Sequence, residues 1–206
     1  MVIANHPAHF VKAFPSRRIN NVYFDTADLS DFRAHLLGSD RRRKVRIRWY
    51  GESMGLARPA ALEVKARRGT VGTKRHFSLP PLDFDGRISL DAVRSAVAPG
   101  TAAEAMGGFF ACAEPALFNS YYRRYFVSID RRFRITIDTD MEFRVVNYRT
   151  YSHIRSHKEE RLRIIELKYA MDDDREAHEI ASRLPFRLTK HSKYVSGLSR
   201  LRGYED

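Results

Sequence analysis

The segment Lys44-Val45-Arg46-Ile47-Arg48-Trp49-Tyr50 decides the fold class, because polar and apolar residues alternate along its whole length. Successive side chains of a β-strand point to opposite faces of a sheet, so this segment predicts a strand with one apolar and one basic face. The alternation recurs at residues 62–67 and 132–138, and less regularly at residues 162–169. Repeated strands of this kind are typical of an antiparallel sheet.

The remaining predicted elements make this an α+β protein with helices flanking the sheet. A turn is expected to lead into a short strand at residues 20–25, and further strands are predicted at residues 74–79, 120–129 and 142–148. The spacing of apolar residues predicts helices at residues 28–37, 90–97, 102–106, 175–184 and 192–201. We find no internal boundary, so residues 1–206 are expected to form one domain.

A closed sheet is favoured here over an open sheet with one wet face, which is the ordinary arrangement. Arg and Lys occupy inner positions of several strands, and the triplet Glu-x-Lys occurs twice, at residues 63–65 and 166–168. The predicted fold is therefore an antiparallel β-tunnel, a closed or nearly closed barrel of up to eight strands with its basic faces inside. Such an interior requires counter-charges, and the cations of Arg and Lys are well suited to binding phosphate.

The composition points to an anionic partner in a reducing compartment. Lys and Arg total 37 against 25 Asp and Glu, giving a formal net charge of +12 that suits nucleic acid, anionic lipid or a small polyanion. A single cysteine, Cys112, excludes an internal disulfide. No apolar run reaches the roughly 20 residues of a membrane span. We therefore expect no membrane span and a cytoplasmic location.

A series of short segments resembles the VTC domain, the polyphosphate polymerase domain of the triphosphate tunnel metalloenzyme superfamily, and the segments follow that family's order. The segments are Val22-Tyr23-Phe24-Asp25-Thr26, residues 44–50, Leu62-Glu63-Val64-Lys65, Lys74, Tyr122-Arg123-Arg124, Arg134-Ile135-Thr136-Ile137-Asp138, Ile165-Glu166-Leu167-Lys168 and Lys190-His191-Ser192-Lys193-Tyr194. Each segment alone is weak, whereas the ordered series is specific.

The resemblance implies an eight-stranded tunnel that grips a phosphate chain, together with a divalent metal, Mg²⁺ or Mn²⁺. The residues that it assigns to phosphate are Arg46, Arg48, Lys65, Lys74, Arg124, Arg134, Lys168, Lys190 and Lys193. It makes Glu166 the metal ligand, with Glu63 and Asp138 as further candidates, although Glu63 is read more readily as a charge-balancing acid. Implied ligands are polyphosphate, triphosphate and ATP.

One departure from the family concerns the start of the domain. The family's usual first strand carries roughly Arg-x-Glu-x-Lys-Tyr, and no such motif precedes residues 22–26. The catalytic residues are therefore left unassigned, and turnover is put in doubt more than phosphate binding.

Two local interpretations depend on secondary structure. The run Arg41-Arg42-Arg43 is interpreted as a solvated loop before a strand, with an electrostatic funnel at a tunnel mouth as the alternative. Lys190 and Lys193 are three residues apart and are expected on one face of a helical turn.

Three functions remain open from the sequence. The first is metal-dependent phosphoryl transfer, as in a polyphosphate polymerase, or a triphosphatase. The second is a non-catalytic polyphosphate-binding module. The third, a nucleic-acid-binding protein, is the weakest, because the cations alternate with acids along strands instead of clustering on an outer face or helix.

Overall fold

The computed structural model describes residues 3, 5–84, 89–97, 101–106, 108–146 and 156–203. The strands are β1 (Val11–Thr26), β2 (Arg41–Tyr50), β3 (Gly55–Ala57), β4 (Ala60–Arg68), β5 (Val71–Leu79), β6 (Leu82–Phe84), β7 (Ala113–Val127), β8 (Arg134–Val145), β9 (Ser156–Glu159) and β10 (Ile164–Lys168). The helices are α1 (Ser30–Leu36), α2 (Leu90–Val97), α3 (Thr101–Met106), α4 (Phe109–Cys112), a 3₁₀ turn (Met171–Asp173), α5 (Asp174–Ser182) and α6 (Lys193–Arg202). None of the helices among these residues is long and apolar enough to cross a membrane.

An eight-stranded sheet dominates the structure, which confirms the predicted α+β class. Its strands are hydrogen-bonded in the order β10-β8-β7-β1-β2-β4-β5, and β9 pairs with β8. The β1–β2, β2–β4, β4–β5 and β8–β10 pairs are antiparallel. Within the described ranges no ladder joins β10 to β5, so the sheet is not closed by hydrogen bonds.

Several predicted boundaries are wrong. The strand expected at residues 120–129 begins at Ala113 and ends at Val127. Three further differences have identifiable reasons. The strand expected at residues 20–25 is longer and begins at Val11. The sequence does not predict residues 11–18 as strand, because they are mostly exposed and lack the apolar alternation that marks a strand. The loop expected at residues 41–43 is the start of β2, where these residues pair with residues 66–68 of β4. The strands expected at residues 133–138 and 142–148 form one strand, β8, which continues through Asp140 at a φ of 53°. Residues 147 and 148 lie outside the described ranges.

Two compact units emerge from the contacts along the chain. The larger unit comprises residues 19–120, 142–158 and 192–206, and the smaller unit comprises residues 1–18, 121–141 and 159–191.

The core of the larger unit lies on the apolar face of β1, β2 and β4. Val45, Ile47 and Trp49 of β2 are fully buried, as their alternation with the basic residues predicts. Trp49 stacks on Phe84 of β6 with ring centroids 4.3 Å apart. Helices α2, α3 and α4 contribute residues to the same cluster. Burial of each such side chain stabilises the fold by about 1.5–3 kcal/mol. The helices cover the apolar face of these strands, and the basic residues lie on the opposite face.

The core of the smaller unit lies between β8, β10 and α5. Ile135 and Ile137 of β8 are buried with Ala177 and Ile180 of α5, while Arg134 is exposed. The apolar residues of the predicted alternation thus lie in the core, whereas Thr136 and Asp138 of the polar face are buried as well.

Candidate functional site

Basic residues of the larger unit lie in register across three neighbouring strands. Lys44 of β2 lies opposite Lys65 of β4, which in turn lies opposite Lys74 of β5. We call these three residues the lysine row. Like charges directly opposite each other on one sheet face are destabilising, so a bound anion would stabilise the lysine row.

Glu63 lies in the next row of the same face and is the centre of an ion-pair network. Arg46 Nη2 donates to Glu63 Oε2 at 2.6 Å, Arg48 Nη1 donates to Oε1 at 3.3 Å, and Lys74 Nζ lies 3.7 Å from Oε1. The side chain of Glu63 is only 7% exposed. Burial by itself raises the pKa of Glu63, but the charges of Arg46 and Arg48 outweigh it and lower this pKa to about 2. Glu63 is therefore ionised and fully engaged in balancing charge.

Lys44 shows how crowded the cations are. Its burial, together with the charges of Lys65, Arg46 and Arg42, lowers the pKa of Lys44 to about 8. Its Nζ donates to Ser192 Oγ at 2.8 Å, and Ser192 Oγ also accepts the backbone N–H of Val195 as the N-cap of α6. The ammonium is thus held in place by a neutral partner that leaves its charge uncompensated.

Residues of β1 hold the two arginines in fixed positions. Arg46 Nη1 donates to Tyr23 Oη at 3.0 Å, and Arg48 Nε donates to Asn21 Oδ1 at 2.9 Å. Asn21 and Tyr23 are buried. Sequence reasoning missed these two supports, because only the β1–β2 register, with Asn21 opposite Arg48 and Tyr23 opposite Arg46, reveals them.

Asp25 has a structural role at the end of β1. Its carboxylate accepts the backbone N–H groups of Thr26, Asp31 and Phe32 at 2.8–3.0 Å, and it also accepts the hydroxyl of Tyr194. Burial and the charge of Asp25 raise the pKa of Tyr194 well above its ordinary value. This cluster ties α1 to α6 and so fixes the start of α6 beside Lys44.

In the smaller unit, Glu166 lies opposite Thr136 and Lys168 lies opposite Arg134. The carboxylate of Glu166 is half exposed, and Lys168 Nζ lies 3.6 Å from its Oε2. The Thr136 hydroxyl is buried and has no hydrogen-bond partner in the part of the chain that the structure describes. An accessible carboxylate and an unsatisfied hydroxyl thus share one row.

Asp138, two residues further along β8, forms an ion pair with Arg123. Arg123 Nε and Nη2 donate to its two carboxylate oxygens at 2.6 and 2.7 Å. Burial disfavours the charge of Arg123, but the hydrogen bond to Asp138 outweighs this and raises the pKa of Arg123. Both oxygens of Asp138 are therefore engaged in a buried ion pair.

The remaining predicted phosphate ligands occupy separate places. Arg124 is partly buried in β7, and Lys193 is the partly buried first residue of α6. Lys190 is exposed and precedes α6 in a stretch without regular structure, so the expectation that it shares a helical face with Lys193 is wrong. The structure therefore brings together Arg46, Arg48, Lys65, Lys74 and Glu63 in the larger unit, and Arg134, Lys168 and Glu166 in the smaller unit.

A divalent metal fits the row of Glu166 and Thr136 only with help from a ligand. No group of three or more His, Cys, Asp or Glu side chains able to hold a metal occurs among the residues that the structure describes. Mg²⁺ commonly uses one or two carboxylates and completes its shell with phosphate oxygens and water. One accessible carboxylate beside an unsatisfied hydroxyl oxygen is compatible with that chemistry.

Comparison with known proteins gives one family and two distantly similar structures. The family model of the VTC domain matches residues 4–202. The protein PH1819 from Pyrococcus horikoshii OT3 has a TM-score of 0.46 at 10% sequence identity, covering 95% of this chain and 86% of that one. HpAC1 from Hippeastrum, studied as an adenylyl cyclase and described as having a dominant triphosphatase activity, has a TM-score of 0.49 at 13% identity, covering 92% and 85%. Both scores are too low to carry an argument, and no curated sequence matches the chain significantly.

Proposed function

The chain belongs to the VTC domain family, and from that premise we propose that its basic face binds the phosphates of inorganic triphosphate, polyphosphate or ATP. In this proposal the sheet forms the wall of a β-tunnel, and the protein works in the cytoplasm. The lone Cys112 suits such a reducing compartment.

The lysine row is the observation that carries this proposal. Lys44, Lys65 and Lys74 stand in register on one face. Glu63, the acid beside them among the described residues, is already engaged by two arginines as well as by Lys74. A bound polyanion would remove the mutual repulsion of these lysines. Phosphate is the best match, because Lys supplies point charges and Arg supplies a fork of N–H donors.

Arginines and lysines are proposed as phosphate ligands in each unit separately. Arg46 and Arg48 are held by β1 and by Glu63, so they would meet a phosphate with little loss of side-chain freedom. The other phosphate ligands that we propose are Lys193 in the larger unit and, in the smaller unit, Arg124, Arg134, Lys168 and Lys190.

We further propose metal-dependent phosphoryl transfer of the polyphosphate polymerase kind, with Mg²⁺ or Mn²⁺ held by Glu166 and the Thr136 hydroxyl. When bound, the ion would neutralise charge on phosphate oxygens. The chain's own contribution is to position the phosphates and to offset their charge, which is most of what this class of reaction requires.

A non-catalytic phosphate-binding module is the second candidate, and the ion pairs of two candidate acidic residues favour it. Glu63 and Asp138 are both engaged in ion pairs with arginines, so neither is poised to accept a proton. Triphosphate hydrolysis is the remaining enzymatic alternative. Nucleic-acid binding stays the weakest alternative, since Lys44, Arg46 and Arg48 are partly buried in the sheet.

The first test is thermal unfolding with tripolyphosphate, with and without Mn²⁺. At a ligand concentration 100 times Kd the expected stabilisation is about 2.7 kcal/mol, which raises Tm by roughly 5–10 °C for a chain of this size. Lys65→Ala should lose most of that shift. Arg41→Ala, which removes one cation from the opposite face of β2, should keep it.

The metal is tested separately by Glu166→Gln. This variant should keep the shift with tripolyphosphate alone and lose the additional shift with Mn²⁺. Equal losses in Lys65→Ala and Arg41→Ala would sink the assignment of the basic face. An unchanged Mn²⁺ response in Glu166→Gln would sink the assignment of the metal ligand.

A further inference from the structure

Lys44 and Ser192 form a pair of an amine and a hydroxyl at one end of the lysine row. Lys44 Nζ lies 2.8 Å from Ser192 Oγ, and both residues are partly buried. Ser192 is also held from the helix side, because its hydroxyl oxygen accepts the backbone N–H of Val195 at 3.4 Å as the N-cap of α6. A serine hydroxyl that lies within hydrogen-bond reach of an amine base, with its own position fixed, has the geometry of an activated nucleophile.

The hydrogen-bonding capacity of the Ser192 hydroxyl fits this role. A hydroxyl has one proton to donate and two lone pairs. One lone pair accepts the N–H of Val195. When Lys44 is neutral, the hydroxyl proton can be donated to Nζ, and the second lone pair is left to attack an electrophile. The ammonium form of Lys44 instead donates to Ser192. The pair is therefore reactive only when Lys44 has lost its proton.

The surroundings of Lys44 favour loss of that proton. Burial and the neighbouring cations lower the pKa of Lys44 to about 8, so roughly a tenth of the molecules carry the neutral amine at pH 7. The pKa of His35 is lowered to about 4 by burial and by the charge of Lys44, so this ring stays neutral where Lys44 titrates. The titratable and charged groups of the surrounding elements are Lys65 of β4, Arg42 and Arg46 of β2, His35 of α1 and Lys193 of α6.

Ser192 lies close to the place where the proposed function puts phosphate. Lys44 stands in register with Lys65 and Lys74, so an anion on this row meets Lys44 Nζ. A phosphate oxygen that accepts a hydrogen bond from this Nζ at roughly 2.8 Å is no more than roughly 6 Å from Ser192 Oγ. The separation of roughly 3–3.5 Å that reacting atoms require falls within this limit.

We propose that Ser192 is a phosphoryl acceptor, which takes the terminal phosphoryl group of a phosphoanhydride bound at the lysine row and becomes phosphoserine. This inference rests on the proposed function of that row. Ser192 Oγ forms the new bond to phosphorus as its proton passes to Lys44 Nζ, and the bond from phosphorus to the bridging oxygen breaks. The electron pair of that bond leaves with the shortened phosphate chain, which is diphosphate from tripolyphosphate or ADP from ATP.

Groups already in place would stabilise the product. Phosphoserine carries about −1.5 to −2 charges and three acceptor oxygens. It would face the newly formed ammonium of Lys44 and would stand at the N-terminus of the 10-residue helix α6, where negative charge is favourable. The modification would thus give the lysine row a permanent counter-charge, so the modified protein should bind further phosphate more weakly.

The test is intact-mass spectrometry of the full chain after incubation with tripolyphosphate or with ATP, each with Mn²⁺, followed by peptide mapping. The variants are Ser192→Asn, Lys44→Gln and Ser196→Ala. Asparagine is as good an N-cap as serine but has no hydroxyl, so Ser192→Asn should keep α6 folded, which thermal unfolding without ligand checks. Ser196→Ala is the matched control, because it removes the other hydroxyl of the same helix face, one turn further on.

We expect wild-type protein and Ser196→Ala to gain the mass of one phosphoryl group with either ligand, and the peptide map to place it on Ser192. Ser192→Asn should gain none. The wild-type rate should rise with pH and level off above about 8, because only neutral Lys44 accepts the proton. At saturating ligand, Lys44→Gln should react at least about 100-fold more slowly and without this rise.

A phosphoryl group on another residue, or an equal gain of mass in Ser192→Asn, would overturn the inference. An unmodified wild type whose Tm nevertheless rises with tripolyphosphate would overturn it as well. A wild-type pH profile in Lys44→Gln would remove Lys44 from its role as the base. A wild type whose Tm does not respond to tripolyphosphate would instead overturn the proposed function itself, so the two failures are distinguishable.

Discussion

At the scale of single residues, Glu63 balances the charge of the larger unit's basic face. Its folded-state pKa of about 2 is below the ordinary value of 4.5, so ionised Glu63 stabilises the fold above pH 4.5. That contribution is lost as the pH falls from about 4.5 to about 2. Glu63→Gln should therefore lower the free energy of unfolding at pH 7 by about 3 kcal/mol, because it leaves the partly buried Arg46 and Arg48 without their partner.

Urea unfolding at a series of pH values checks this prediction. The difference between wild-type protein and Glu63→Gln should shrink through the window from pH 4.5 to pH 2. Asp91→Asn is the control, since Asp91 is 93% exposed in its pair with Arg94 and its loss should change stability by less than about 0.5 kcal/mol. A constant difference at all pH values would contradict the role given to Glu63.

Lys44 has the opposite effect on stability. Its folded-state pKa of about 8 lies below 10.5, so between these values the unfolded chain binds more protons and stability should rise with pH. Lys44→Met should remove this rise and increase the free energy of unfolding at pH 7 by about 1 kcal/mol. The same change should weaken tripolyphosphate binding. Unfolding curves at pH 7 and at pH 10, with a parallel titration of the anion, test both statements.

The residues of the site were only partly predictable. The alternation in β2 and β4 correctly placed Arg46, Arg48 and Lys65 on one face, because a period of two is a property of the strand itself. The partners Asn21 and Tyr23 were not predictable in the same way, since cross-strand register depends on how distant segments pair. The engagement of Asp138 by Arg123 was missed for the same reason.

At the scale of elements, α6 is packed against the sheet with no room to spare. A Cβ added at Gly197 would lie 2.5 Å from Phe143 Cδ1 and 2.8 Å from Leu117 Cδ2. Gly197→Ala should therefore lower the free energy of unfolding by about 1–3 kcal/mol, although alanine favours a helix by about 1 kcal/mol.

Denaturant unfolding of Gly197→Ala beside Ser196→Ala measures this effect. Ser196 is the neighbouring small residue of α6, and its substitution should change stability by no more than about 0.5 kcal/mol. A Gly197→Ala variant as stable as the wild type would show that α6 shifts freely on the sheet.

The elements were predicted well where an apolar face exists and poorly where it does not. Helix α2 matches its predicted range, because its amphipathic spacing is visible in the sequence. The first half of β1 and the start of β2 are exposed or uniformly basic, so no alternation marks them. Their strand structure comes from backbone pairing, which side-chain patterns do not encode.

At the scale of the whole molecule, the net charge of +12 attracts any polyanion, whereas the partly buried Lys44, Arg46 and Arg48 would discriminate among them. Salt screens exposed charges more strongly than partly buried ones. We expect tripolyphosphate to raise Tm at both about 50 mM and about 200 mM salt, although the Debye length is shorter at the higher concentration. Duplex DNA at equal phosphate concentration should have an effect only at low salt, with the steep slope of backbone contacts. Equal salt dependence of the two ligands would favour the nucleic-acid alternative.

The hydroxyl of Ser192 couples the position of the Lys44 ammonium to the N-cap of α6. It accepts a hydrogen bond from Lys44 Nζ and another from the backbone N–H of Val195. An anion bound at the lysine row that draws the Lys44 ammonium away from Ser192 leaves the hydroxyl with only its hydrogen bond from α6. The amide of Val195 thereby becomes a built-in spectroscopic reporter, whose chemical shift and hydrogen-exchange rate register occupancy of the face without any added label.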